Sequence, residues 1–236
     1  NNIKGKVREC TPELFHEAID SQVVAEVCAQ IKDALEAVRR GEMSPEDFET
    51  LKGNLKKSLI IFTFHATFKN GRRKNNEAVS SGLSIYDLDH IPNPEGRWAQ
   101  IEPRKEELGI VLSHVTPSSE GLRLVFVIPA GMSLEEAQAW MASQLGDAQY
   151  DACVKDYARC SFAVPREYIL YQSEALFNEE LRMKTAELDE GFARTNEELP
   201  ADGASEGGDT HEIPLMKGVG GCSSSNENKA KNDQEE

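Results

Sequence analysis

Asp87-Leu88-Asp89 places two carboxylates two residues apart. The run from Gly82 to Asp89 reads as a strand, and on a strand that spacing turns both side chains to one face. Two carboxylates so close repel unless a proton or a cation bridges them. Hard oxygen ligands in this arrangement suit Mg²⁺ or Mn²⁺, which join protein carboxylates to substrate phosphates. The alternative is a strand end where an aspartate caps a turn and His90 is a loop residue. No basic residue beside the pair in sequence would neutralise it, which favours the metal reading.

The segment Thr116 to Arg123 is a second candidate. Its hydroxyl residues and glycine can offer backbone N–H groups to a phosphate, Ser118 among them, and Arg123 can add a charged fork. An ordinary hairpin turn with a solvated arginine is the plainer reading. His114, alone on a strand, reads more readily as a structural residue than as a base or ligand. A third candidate runs from Asp151 to Arg159. Asp151 or Asp156 could complete a three-carboxylate site, with Lys155 or Arg159 reaching a phosphate; the alternative is a surface turn of mixed charge. The loop Lys69-Asn70-Gly71-Arg72-Arg73-Lys74 is either solvated or a contact for a nucleic-acid backbone through Lys69, Arg72, Arg73 and Lys74. No phosphate-binding P-loop, GxGxxG, HExxH or GxSxG pattern occurs.

The elements that must position these residues follow from periodicity. Thr11-Pro12 is a cap and first-turn pair, and Val23 to Val38 repeat apolar residues at helical spacing until Gly41. Ser44-Pro45 opens a second helix carrying Phe48, Leu51 and Leu55. Leu59 to Phe64 reads as a strand, as do 109–115 and 122–128, the last two joined as an antiparallel hairpin. A helix is expected from Trp98 to Leu108, and Ser133-Leu134-Glu135-Glu136 is a capping box opening another as far as Leu145. Cys160 to Val164 reads as a further strand. The sum is an α+β fold, a mixed or antiparallel sheet covered on one face by helices.

Composition sets the limits. Hydrophobic residues are 39% of the 236 and charged residues 28%, with a net charge of −15. Residues 187–236 hold thirteen acidic and four basic side chains, −9, which leaves −6 for the first 186. The acidity therefore says little about the folded part. Three segments are expected: N-terminal helices over 1–57 that pack on the core, an α+β domain over 58–186, and a disordered acidic tail over 187–236. Five scattered cysteines without a CxxC pair suggest neither a disulfide framework nor a zinc site. No apolar run approaches the roughly 20 residues that span a bilayer. The cytoplasm is the expected compartment, with no membrane contact.

Taken in order, the pieces resemble the VirE N-terminal domain family, a branch of the archaeo-eukaryotic primase superfamily from bacterial mobile elements. The resemblance rests on Leu51-Lys52, Leu55-Lys56, Phe64-His65-Ala66-Thr67-Phe68, Gly71-Arg72 and Ser81 to His90, then Thr116 to Arg123 and Asp151 to Phe162. It covers about Leu51 to Tyr171, roughly half of the chain. It implies an RRM-like primase core. Asp87, Asp89 and Asp151 would be the catalytic and metal-binding carboxylates, for Mg²⁺ or Mn²⁺. Ser118, Arg123, Lys155 and Arg159 would meet a nucleoside triphosphate. DNA, an RNA primer and a separate replicative helicase would be the partners. The implied activity is two-metal nucleotidyl transfer in replication of a mobile element. Arg123, however, stands where active members of the superfamily place a histidine. Arginine binds phosphate but exchanges no proton near neutral pH. That departure favours the alternative of a catalytically inactive nucleic-acid or nucleotide-binding module that recruits a helicase.

Overall fold

The computed structural model describes residues 6–147, 150 and 156–183. Asp151 and Lys155 lie outside the described residues, as does the 187–236 segment.

The helical start is cut in two. α1 (Pro12–Ile19) is capped by Thr11, whose hydroxyl accepts from the Leu14 N–H. α2 (Gln22–Arg39) follows the break at Asp20-Ser21 and buries Val24, Val27, Cys28, Ile31, Ala34 and Leu35. α3 (Pro45–Lys56) starts at the Ser44 cap. The apolar faces of α2 and α3 close on Leu59 and Ala163, with Phe62 and Phe162 alongside.

The strand expected over 59–64 shrinks to β1 (Ile61–Phe62), because its ladder partner among the described residues is the two-residue β7 (Ser161–Phe162). The chain then turns through His65 into β2 (Ala66–Phe68), which pairs with β3 (Ala78–Ser80) across the basic loop. The loop is held from below, where the Val7 N–H donates to the Gly71 carbonyl at 2.8 Å. A Cβ on Gly71 would meet that Val7 oxygen at 2.8 Å, and its φ of +63° also favours glycine.

The main sheet holds β4 (Leu83–Asp89), β5 (Ile110–Val115), β6 (Gly121–Val127) and β8 (Ile169–Gln172) in the order β4-β6-β5-β8, with every pair antiparallel. The helix expected at Trp98 begins earlier. Pro94 is its first residue and the Asn93 side chain caps the Gly96 N–H, giving α4 (Pro94–Ile101). α5 (Leu134–Leu145) has the expected capping box and ends at Gly146 in the left-handed region. The run β4-α4-β5-β6-α5, with β6 between β4 and β5, is the strand–helix–strand–strand–helix order of ferredoxin-like and RRM-like sheets. β8 joins on the β5 side.

Both faces of the sheet are covered, not one. Alternation sends Tyr86, Leu88, Leu122, Leu124 and Phe126 towards Trp98 of α4 and Met141 of α5. Leu83, Ile85, Val125 and Val127 face the other way, against Phe15 and Ile19 of α1 and against Phe64 and Leu176. This second cover stops short of the Asp89 end of β4. There the sheet face turns polar. Among the described residues no helix is long and apolar enough to cross a membrane.

Candidate functional site: a cationic cleft at the end of β4

Strand alternation that buries Leu83 and Ile85 carries Asp87 and Asp89 onto the same face. The antiparallel register sets Asp87 opposite Arg123 and Asp89 opposite Gly121. Sequence reasoning found no neutralising neighbour because the neighbour is 36 residues away along the chain and one strand away in space. Arg123 grips Asp87 with both teeth of its fork, Nε to Oδ1 at 2.5 Å and an Nη to Oδ2 at 2.8 Å. Its remaining Nη donates to the Ser161 hydroxyl at 2.7 Å. Arg159 adds a third bond to Asp87 Oδ2 at 3.2 Å. The Asp87 side chain is 7% exposed and that of Arg123 12%. Burial works to raise the Asp87 pKa, but the charges and hydrogen bonds of Arg123 and Arg159 outweigh it and hold the carboxyl at about 2.

Asp89, one step further out, is exposed and lines a cleft of about 540 Å³. Four cations from four separate elements reach the same cleft. They are Lys56 from the last turn of α3, Arg73 from the basic loop, Arg123 from β6 and Arg159 from the segment after residue 156. Among the described residues, the carboxylates that line it with them are Asp89 and Asp156. Lys56 lies over the Phe162 ring, 5.7 Å from its centre. Burial first, then the Lys52 and Arg123 charges, push the Lys56 pKa down. Of the basic loop, Lys69, Arg72 and Lys74 are exposed, while Arg73 turns inward and donates to the Ala158 carbonyl at 3.1 Å.

The turn after β5 forms the opposite rim. Thr116, Pro117 and Ser118 line the cleft, and the Thr116 and Ser118 hydroxyls lie 3.1 Å apart. The turn is tight: the Thr116 N–H reaches the Gly121 carbonyl, and Ser119 sits at φ +60° with its hydroxyl 2.9 Å from that of Tyr168. A Cβ on Gly121 would come within 2.8 Å of Thr116 Oγ1 and 3.2 Å of the Leu88 carbonyl, so only glycine lets the two strands leave the turn this close. His114 shares the Arg123 face but is buried, with Nδ1 2.8 Å from the Val115 carbonyl. Burial, with the Arg123 charge behind it, lowers its pKa to about 4, so it is a neutral packing residue at ordinary pH.

Of the three carboxylates expected to hold a divalent metal, Asp87 and Asp89 are described and Asp151 lies outside the described residues. Both Asp87 oxygens are engaged by guanidinium groups, leaving Asp89 as the open carboxylate of the pair. Among the described residues no three His, Cys, Asp or Glu side chains gather as a metal set. The structure thus brings together Asp87, Asp89, Ser118, Arg123, Arg159 and Arg73. It leaves Lys69, Arg72 and Lys74 on the outer surface. Residues 54–164 match the family model of the BT4734-like N-terminal domain. The matched stretch is just under half of the chain and contains every cleft residue named above. This family is related to the VirE N-terminal family. No curated protein and no solved structure matches the chain.

Lys56, Ser161 and Phe162 acquire their place in the site only through the fold. Lys56 and Phe162 belong to the motifs that carry the family resemblance, but nothing in that pattern gives either a place beside Asp89.

Proposed function

We propose that the cleft binds phosphate groups of a nucleic acid or nucleotide, and that the domain is a nucleic-acid or nucleotide-binding module. The supporting observation is the convergence of Lys56, Arg73, Arg123 and Arg159, from positions scattered over a hundred residues, on one cleft. A structural ion pair needs one arginine for one carboxylate; here Arg123 and Arg159 share Asp87, and the second guanidinium beside an open cleft suits an anionic ligand. Arg123 is held by Asp87 and Ser161, so its fork is preset and little side-chain freedom is lost on binding. Arg159, its side chain more exposed than that of Arg123, sits nearer the opening, and the exposed Lys69, Arg72 and Lys74 extend positive charge beyond it. Such a surface recognises the sugar–phosphate chain and not a base sequence.

The test is binding of a single-stranded oligonucleotide in the presence of a chelator. Binding is expected to persist without metal, to weaken steeply with salt, and to drop at least tenfold in Arg159→Ala. Retention of full affinity in Arg159→Ala would remove the cleft as the binding site.

A second reading, metal-dependent nucleotidyl transfer for mobile-element replication, draws support from the shared face of Asp87 and Asp89 and from the family relation. It requires Arg123 to release Asp87. Titration of Mn²⁺ with a nonhydrolysable nucleoside triphosphate separates the readings. Binding that depends on the metal and disappears in the Asp87→Asn, Asp89→Asn double variant would support transfer.

A further inference from the structure

His65 is fully buried beneath the cleft wall, at a point where three stretches of backbone meet. Its Nε2 accepts the Ile85 N–H at 2.9 Å. Its Nδ1 lies 3.1 Å from the Asp156 carbonyl oxygen. Its own carbonyl accepts from the Ser81 N–H. An amide N–H only donates and a carbonyl only accepts, so these partners fix one neutral tautomer, with the proton on Nδ1. The same Asp156 carbonyl accepts the Arg159 N–H at 3.0 Å, and Asp156 Oδ1 accepts the Ala158 N–H at 2.8 Å. The tight turn built in this way aims Arg159 at Asp87.

We infer that His65 is a positioning residue for the cleft: its neutral imidazole hangs the wall from Asp156 to Cys160 on the free edge of β4 and so sets where Arg159 stands. The inference rests on the reading of the cleft as a phosphate site. Protonation would put a hydrogen on Nε2 against the Ile85 N–H, and two donors cannot share that contact. The charged groups that face the ring are Arg159 from the wall, Arg123 from β6 and Asp87 from β4. Burial is the largest influence and pushes the His65 pKa down; the two arginines add to it, while the Asp156 carbonyl and the Asp87 charge oppose it. The wall has a second tie, from Arg73 and the Asn75 side chain to Ala158, so losing the His65 bond loosens it without detaching it.

Two substitutions separate the two ring nitrogens. In His65→Gln the side-chain oxygen can replace Nε2 as acceptor for Ile85, but no nitrogen stands at the Nδ1 position to donate to Asp156. In His65→Asn the amide nitrogen can replace Nδ1 as that donor. The readouts are hydrogen exchange at the Ala158 and Arg159 amides and affinity for oligothymidylate, whose phosphodiesters do not titrate between pH 8 and 5. At pH 8, His65→Gln is expected to speed exchange at both amides about tenfold and to weaken binding by a similar factor. His65→Asn stays close to the parent in both. Binding by the parent is expected to fall on acidification below the ordinary histidine range, towards that of the Gln variant, which itself shows no such step. Parental exchange and affinity in His65→Gln would overturn the inference, as would an Asn variant as disturbed as the Gln one. Should the exchange difference appear while no chain binds oligothymidylate, the positioning role stands and the phosphate reading falls.

Discussion

Replacing Asp87 with Asn should move stability and ligand affinity in opposite directions. The substitution keeps the shape of the side chain and removes a charge that accepts three guanidinium hydrogen bonds. Arg123, only 12% exposed, then keeps Ser161 and a neutral amide oxygen as polar partners but loses the carboxylate charge it is bonded to. Breaking a buried pair by removing one member costs about 3–5 kcal/mol, because the other charge stays buried without its counter-ion. The retained amide oxygen puts the expected loss near the low end, about 3 kcal/mol, which leaves a domain of ordinary stability folded. Affinity should change the other way. The carboxylate stands directly behind Arg123 and Arg159, and its removal adds one net positive charge to the cleft. In a water-filled cleft a unit charge at short range is worth about 1 kcal/mol, roughly a fivefold tighter hold on a phosphate ligand. Urea unfolding reads the first quantity, and titration with inorganic pyrophosphate in chelator reads the second. A folded Asp87→Asn variant that binds pyrophosphate more weakly than the parent would refute the reasoning.

Three further outcomes follow from the geometry. His114 is neutral in the fold with its pKa depressed to about 4, below the ordinary 6.5, so its share of stability is whole above pH 6.5 and is lost as pH falls to 4. That share is about 3 kcal/mol, and urea unfolding of His114→Asn should lack this part of the acid sensitivity; identical pH dependence in the two chains would contradict it. The Asp87 pair acts in a lower window: its contribution is whole above the ordinary 3.8 and is lost as pH falls towards 2, so Asp87→Asn should flatten the parent's stability curve only below about pH 4. Gly121→Ala pushes a methyl group against Thr116 Oγ1 and the Leu88 carbonyl and should cost about 1–3 kcal/mol in thermal or urea unfolding, with an effect near zero showing that the turn can give.

The alternating pattern of β4, the hairpin of β5 and β6 and the capping box of α5 were legible because each is a local signal with its own period or cap. What the sequence concealed came from pairing across distance. Arg123 reads as the end of a phosphate-binding turn, yet the register makes it the counter-ion of Asp87, and no inspection of residues 80–95 could show that. The short β1 and β7 are limited by their two-residue ladder, and their apolar runs exceed the paired length. The break between α1 and α2 lies in a stretch whose helical spacing looks continuous. His65 directly follows the apolar run Leu59 to Phe64 that reads as strand; that its ring replaces a strand neighbour depends on the return of residue 156 to the same place.

That replacement has a consequence for how the molecule meets copies of itself. At Ile85 the outer edge of β4 would offer an unpaired N–H and carbonyl, the template on which a stranger's strand can add. Both are already taken by side chains, the N–H by His65 and the carbonyl by the amide of Gln138, which also reaches the Ser84 hydroxyl. Two buried polar side chains thus act as a built-in stopper against edge-to-edge aggregation where a long hydrophobic strand would otherwise invite it.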